Sequence, residues 1–203
     1  MEILLTIAIP TIESRQHCFN KLVEELKKQS KRYGNQIEII SLCDNKEMTI
    51  GEKRNKLNAM ANGKYVVQWD DDDWICEGGI DLIMEGIEMD VDCITYDAPC
   101  IKPPLDENRT FSYSIKNYYS YTKKNDTFYL SADQKCVIKK EILDKVKFKE
   151  IRYQEDLQFL YDIHPHLKTE HRIEKNIYFN LNLSGDSLFD FNKRYGIITN
   201  KLI

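Results

Sequence analysis

The chain has 203 residues, 42% of them apolar, and a formal net charge of −4. That is enough apolar material to bury a full core in one α/β domain, without a linker to a second one. The mild negative balance argues against a general polyanion binder, and no apolar stretch approaches the ~18 residues that a membrane span needs. Residues 3–9 form a β-branched run stopped by Pro10-Thr11, which predicts a buried strand opening into a loop. A helix follows, with Phe19, Leu22, Val23 and Leu26 on one face and Gly34 at its end. Residues 37–42 predict a second strand ending at Cys43-Asp44-Asn45. Residues 51–61 predict a helix with Leu57, Met60 and Ala61 on one side, stopped by Asn62-Gly63. A third strand spans 64–69, a helix is marked by Ile80, Ile83, Met84 and Ile87, and a fourth strand spans 91–96.

Strand and helix thus alternate through the first hundred residues, the signature of a mostly parallel central sheet flanked by helices. From Pro99 the pattern changes to a polar loop and a Tyr-rich segment, residues 113–129. Regular structure is expected again at 131–139, helices at 140–146 and 154–163, and a late strand at 172–181. The six cysteines, at 18, 43, 76, 93, 100 and 136, form no C-x-x-C pair. Together with an N-terminus lacking signal-peptide features, they lead us to expect a reduced, cytoplasmic setting.

One feature stands apart from this pattern. Asp70, Asp71, Asp72 and Asp73 lie between Trp69 and Trp74, directly after the apolar Tyr65-Val66-Val67. Adjacent carboxylates against a buried strand repel one another unless a cation, hydrogen bonds or water compensate them. A hard cation such as Mg²⁺ or Mn²⁺ suits an oxygen cluster and commonly holds the phosphates of a nucleotide; a solvated acidic turn is the plainer alternative. In open α/β sheets ligands bind beyond the carboxyl ends of the strands, where Pro10-Thr11, Asp44 and the aspartates all fall. They should converge on one rim.

In order, these motifs resemble the inverting family 2 glycosyltransferases, which have the nucleotide-sugar-binding GT-A fold. The likeness rests on LTIAIPT at 5–11, IEIISLCDN at 37–45, GEKRNK at 51–56, ANGKY at 61–65, the aspartates as a D-x-D motif, and QEDL at 154–157. The glycine of the family's G-x-F-x-E stretch is missing at 147–150. The resemblance implies that Pro10, Thr11 and Glu13 lie against the nucleotide, that Asp44 contacts the base, and that Arg54 pairs with the diphosphate. It implies Asp70 and Asp72 as the D-x-D pair holding Mn²⁺ or Mg²⁺, with Asp71 and Asp73 beside the donor. Asp156 is then the base that takes the proton of the acceptor hydroxyl, with Glu155 as runner-up; without the pattern, the pair reads as a helix cap.

The expected donor is a UDP-sugar, and the acceptor is a hydroxyl compound of open class, nucleic acid included. Residues 1–98 would form the nucleotide-sugar half and 99–203 the acceptor half, with a closing segment at 182–187. His171 is a weaker candidate for the diphosphate, the Tyr-rich segment one for the acceptor, and His164 and His166 receive no role. Two other readings stand beside transfer: a nucleotidyl- or phosphotransfer enzyme using the same aspartates, which lacks a glycine-rich phosphate loop, and a Ca²⁺-binding module, which leaves Arg54-Asn55 and Glu155-Asp156 unexplained.

Overall fold

The computed structural model describes residues 2–101, 108–122 and 126–181. Strand β1 (Leu5–Ile12) lies between β2 (Ile37–Asp44) and β3 (Tyr65–Gln68), parallel to both. Its side chains from Leu5 to Ile9 are fully buried. A central parallel strand is covered on both faces, which is why this one reads as a continuous apolar run. Helix α1 (Gln16–Ser30) joins β1 to β2, and α2 (Ile50–Met60) joins β2 to β3. Gly34 takes φ +55° after α1, a left-handed value that suits glycine and turns the chain into β2.

Beyond β3 come the short β4 (Trp74–Ile75), α3 (Gly79–Glu88), β5 (Cys93–Ile101), β6 (Asn108–Tyr113), β7 (Tyr119–Thr122) and β8 (Thr127–Leu130). The described chain ends with β9 (Val137–Lys139), α4 (Lys140–Leu143), α5 (Glu155–Ile163), β10 (Glu170–Ile173) and β11 (Tyr178–Phe179). The main sheet runs β2-β1-β3-β9-β5-β6-β8-β7, with β10 parallel to β5, while β11 pairs with β4. Helix α1 packs beside α3, and α2 beside α5. Among the described residues no helix is long and apolar enough to cross a membrane.

Several boundaries differ from expectation. Strand β1 does not stop at Pro10; it stays in register with β2 to the pair Ile12 and Asp44. Its pairing with β3 ends at Ala8, so Pro10 lies where one side of the strand is free and the missing N–H breaks no ladder. Met60 is 46% exposed, outside the core face of its helix. The Tyr-rich segment is not irregular: it forms β7 and β8, joined to the sheet through a parallel β6–β8 pair. The expected late strand is two short ones, β10 and β11. The expected closing segment at 182–187 lies outside the described residues.

Candidate active site

Because β1, β2 and β3 are parallel, their carboxyl ends meet on one rim. There Ile12, Arg15, Asp44, Lys53, Arg54, Asp70, Asp72 and Asp156 help wall a cleft of about 600 Å³. The predicted convergence therefore occurs, but the four aspartates are not equivalent. They form a turn, with the Asp73 N–H donating to the Asp70 carbonyl at 3.3 Å, and its members have different partners. Asp71, fully buried, accepts from the Thr11 hydroxyl at 2.6 Å. Asp73, also buried, accepts from the Leu181 N–H at 2.9 Å and from the Tyr178 hydroxyl. Both carboxylates hold the turn to the protein.

Asp70 and Asp72 both line the cleft. Asp70 takes Arg54 Nη2 at 2.9 Å on one oxygen and Lys135 Nζ at 3.3 Å on the other. Burial opposes its ionisation, yet Arg54 and Lys135 outweigh that and hold the carboxyl well below the usual carboxylate range. Asp72 has one cation, Arg15 Nη1 at 2.7 Å. Burial, then the charges of Asp73 and Asp70, push its carboxyl up to about 7. Among the described residues no three His, Cys, Asp or Glu side chains form a ready metal cage. Asp70, Asp72 and Asp73 also border a second cavity of about 230 Å³ on the side of Phe111, Lys135 and Asn180.

Helix α2 supplies two cations, Lys53 and Arg54. Thr49 caps it by accepting from the Glu52 N–H at 3.1 Å. Lys53, 4% exposed along its side chain, donates to the Thr11 carbonyl at 2.6 Å and to Asp44, whose other oxygen accepts from the Met48 N–H at 2.8 Å. Arg54 reaches Asp70, Glu155 at 3.4 Å and Gln68 at 3.4 Å. Asn55 bonds both the N–H and the carbonyl of Phe148 at 2.9 Å, replacing a neighbouring strand. Positions 51, 54 and 55 lie on one helix face, so the G-x-x-R-N spacing of this chain has a structural cause.

Gly51 explains the glycine of that spacing. A Cβ built on it would sit 1.8 Å from the Lys149 carbonyl oxygen, inside any allowed contact. Gly51→Ala is therefore expected to push the 148–151 segment away and destabilise the protein by about 1–3 kcal/mol, read by urea denaturation. An unchanged midpoint would contradict that packing. Phe148 anchors the same segment, stacked on Phe159 with ring centres 4.0 Å apart. The chain then turns at Gln154, φ +65°, a left-handed value rare for a side-chain-bearing residue, and enters α5. Glu155 and Asp156 both line the cleft, but Glu155 is buried against Arg54, while Asp156 is exposed.

The loop between β8 and β9 brings two groups the sequence did not single out. Lys135 bridges Asp70 and Asp73, each at 3.3 Å, and donates to Asn180. Asp133 is 6% exposed and is pushed up to about 7 by burial, with Asp156 adding to that and Lys135 opposing it. Its folded value lies above the ~3.9 of an unfolded aspartate, so the native state binds the proton more tightly. Its contribution to stability is full below about pH 4 and declines as pH rises to about 7, by no more than ~4 kcal/mol. Asp133→Asn is expected to flatten the fall in stability between pH 5 and 7.5. An identical pH slope in the variant would contradict this.

Other expectations land elsewhere. Glu13 is exposed and does not wall the cleft; Arg15, two residues on, does. Pro10 and Thr11 lie behind the wall, with Thr11 holding Lys53 and Asp71. His171 packs against Gly86 of α3, away from the aspartates. Trp69 is a core residue stacked on Tyr178 at 5.3 Å. Tyr118 packs with Tyr161 and His164.

No protein-family model matches the chain, and no curated protein matches it in sequence. Its fold does match solved structures. S. aureus TarS 1-349 superposes with a TM-score of 0.64 at 16% identity, over 96% of this chain and 64% of that one. The same protein in complex with UDP-GlcNAc gives 0.65 at 15% identity, over 96% and 65%. The catalytic domain of Drosophila beta1,4galactosyltransferase 7, in complex with xylobiose, gives 0.51 at 12%, over 84% and 65%. The chain thus has the GT-A fold, and it spans just under two thirds of the length of these TarS 1-349 and galactosyltransferase structures.

Proposed function

We propose that the protein is an inverting glycosyltransferase that moves a sugar from a nucleoside-diphosphate donor, a UDP-sugar, to a hydroxyl acceptor. The observation that carries this reading is one cleft walled at once by Asp44, by Asp70 and Asp72, and by Asp156. The TarS structures include complexes with UDP-GlcNAc and with UDP, which supports the choice of donor. Asp44, fixed by Lys53 and the Met48 N–H, is the residue we assign to the nucleotide base.

Mg²⁺ and Mn²⁺ are usually taken by one or two carboxylates together with substrate phosphates, so a full protein cage is not required. Asp72 fits that mode: its carboxylate lines the cleft, and burial followed by the charges of Asp73 and Asp70 raises it to about 7, of which a cation would relieve the second part. Asp72, with Asp70 beside it, would hold the ion, which when bound neutralises charge developing on the departing diphosphate. Asp156 accepts the proton of the acceptor hydroxyl as that oxygen bonds to the anomeric carbon and the bond to the diphosphate breaks on the opposite face. Glu155 serves differently: paired with Arg54, it fixes the N-terminus of α5 and so the place of Asp156.

Incubation with a panel of nucleotide sugars in Mn²⁺ tests the reading. One donor should be consumed, slowly without acceptor, to nucleoside diphosphate and free sugar, and Asp72→Asn should stop it. Consumption of none, with no nucleoside diphosphate bound, would refute it.

A further inference from the structure

Three cations compensate the acidic turn, and they are held very differently. Arg54 is 4% exposed along its side chain and has three partners; Lys135 is 16% exposed and bridges Asp70, Asp73 and Asn180. Arg15 is 34% exposed and sits where a short turn after β1 runs into α1 without a side-chain cap. Its Nη1 meets Asp72 at 2.7 Å, but its Nε lies 3.2 Å from Asp71 Oδ1 without the alignment of a hydrogen bond. Both of those atoms are buried and lack any hydrogen-bond partner. Buried polar atoms are nearly always paired, so an ion pair that leaves two unpaired is a poor resting place. Arg15 also walls the cleft, together with Lys53 and Arg152.

Resting on the donor reading above, we propose that Arg15 is a displaceable counter-ion: it neutralises Asp71 and Asp72 while the cleft holds no donor, then passes to the diphosphate when a divalent ion takes Asp72. A guanidinium suits both tasks, because its planar fork pairs equally with carboxylate and phosphate oxygens. The exchange makes ion and nucleotide bind together: the ion alone must evict Arg15, whereas ion plus diphosphate gives Arg15 a new partner. Arg15 is thus a positioning residue that couples the two ligands.

Mn²⁺ binding to the full chain, followed by the spectroscopic signal of the free ion, tests this with and without UDP in wild type, Arg15→Gln and Arg15→Lys. Without nucleotide, Arg15→Gln should bind Mn²⁺ about fivefold tighter, since a neighbouring positive charge is gone. In saturating Mn²⁺ its affinity for UDP should fall about tenfold or more, the loss of a charge-assisted hydrogen bond. Arg15→Lys should lie between, and it carries the test if the glutamine variant does not fold. Unchanged affinity for Mn²⁺ alone overturns the counter-ion role, and unchanged affinity for UDP overturns the transfer to diphosphate. If wild type binds no nucleoside diphosphate, the donor reading falls with that second half, while the comparison in Mn²⁺ alone still decides the first.

Discussion

Asp156→Asn is expected to lower turnover by about 10²–10⁴-fold while the nucleoside diphosphate still binds. Asparagine keeps the size and hydrogen-bonding reach of aspartate but has no basic oxygen to take a proton. The structure favours this residue over its neighbour on access: Asp156 is exposed on the cleft wall, whereas Glu155 is buried and spends its charge on Arg54. Glu155→Gln should accordingly act by loosening α5, with a smaller fall in turnover that conservative replacement by aspartate partly restores. Full turnover in Asp156→Asn, measured as transfer to acceptor, would remove it as the base.

The second large effect concerns stability. Arg54 is 3% exposed and ties β3's acidic turn, Gln68 and α5 into one network, with its guanidinium 5.9 Å from the centre of the Phe148 ring. Arg54→Met fills similar space yet leaves Glu155 buried without its partner and Asp70 with Lys135 alone. Breaking one side of such a buried pair costs about 3–5 kcal/mol, because the remaining charge stays desolvated. A loss of that size in urea denaturation is expected, and Arg54→Lys should recover only part of it, since an ammonium cannot reach all three partners in one plane. A loss under about 1 kcal/mol would mean the network is not structural.

The parallel half of the fold was legible because its signals are local. Apolar runs of strand length alternate with helical periodicity up to residue 96, and a parallel sheet then places Asp44 and the aspartates on one rim whatever the details. The register of the aspartates was not legible. Four identical neighbours carry no information about which faces the cleft; that is decided by Thr11, 60 positions away, and by Leu181, 108 positions away. The same distance hid Lys135 and Arg15, which with Arg54 compensate the cluster from within the protein. Glu155 and Asp156 could not be separated for a related reason, since the buried partner that distinguishes Glu155, Arg54, lies 101 positions away. The short strands β7 and β8 escaped because their partners are one another and β6, not a helix-linked neighbour.

The central claim is that the acidic rim binds a nucleoside diphosphate through a divalent ion at Asp72. Calorimetric titration of UDP and the other nucleoside diphosphates, with Mn²⁺ and with a chelator, measures it directly in wild type and in Asp72→Asn. The expected result is UDP binding that requires the ion and is lost in the variant. Failure of every nucleoside diphosphate to bind in Mn²⁺ would contradict the account.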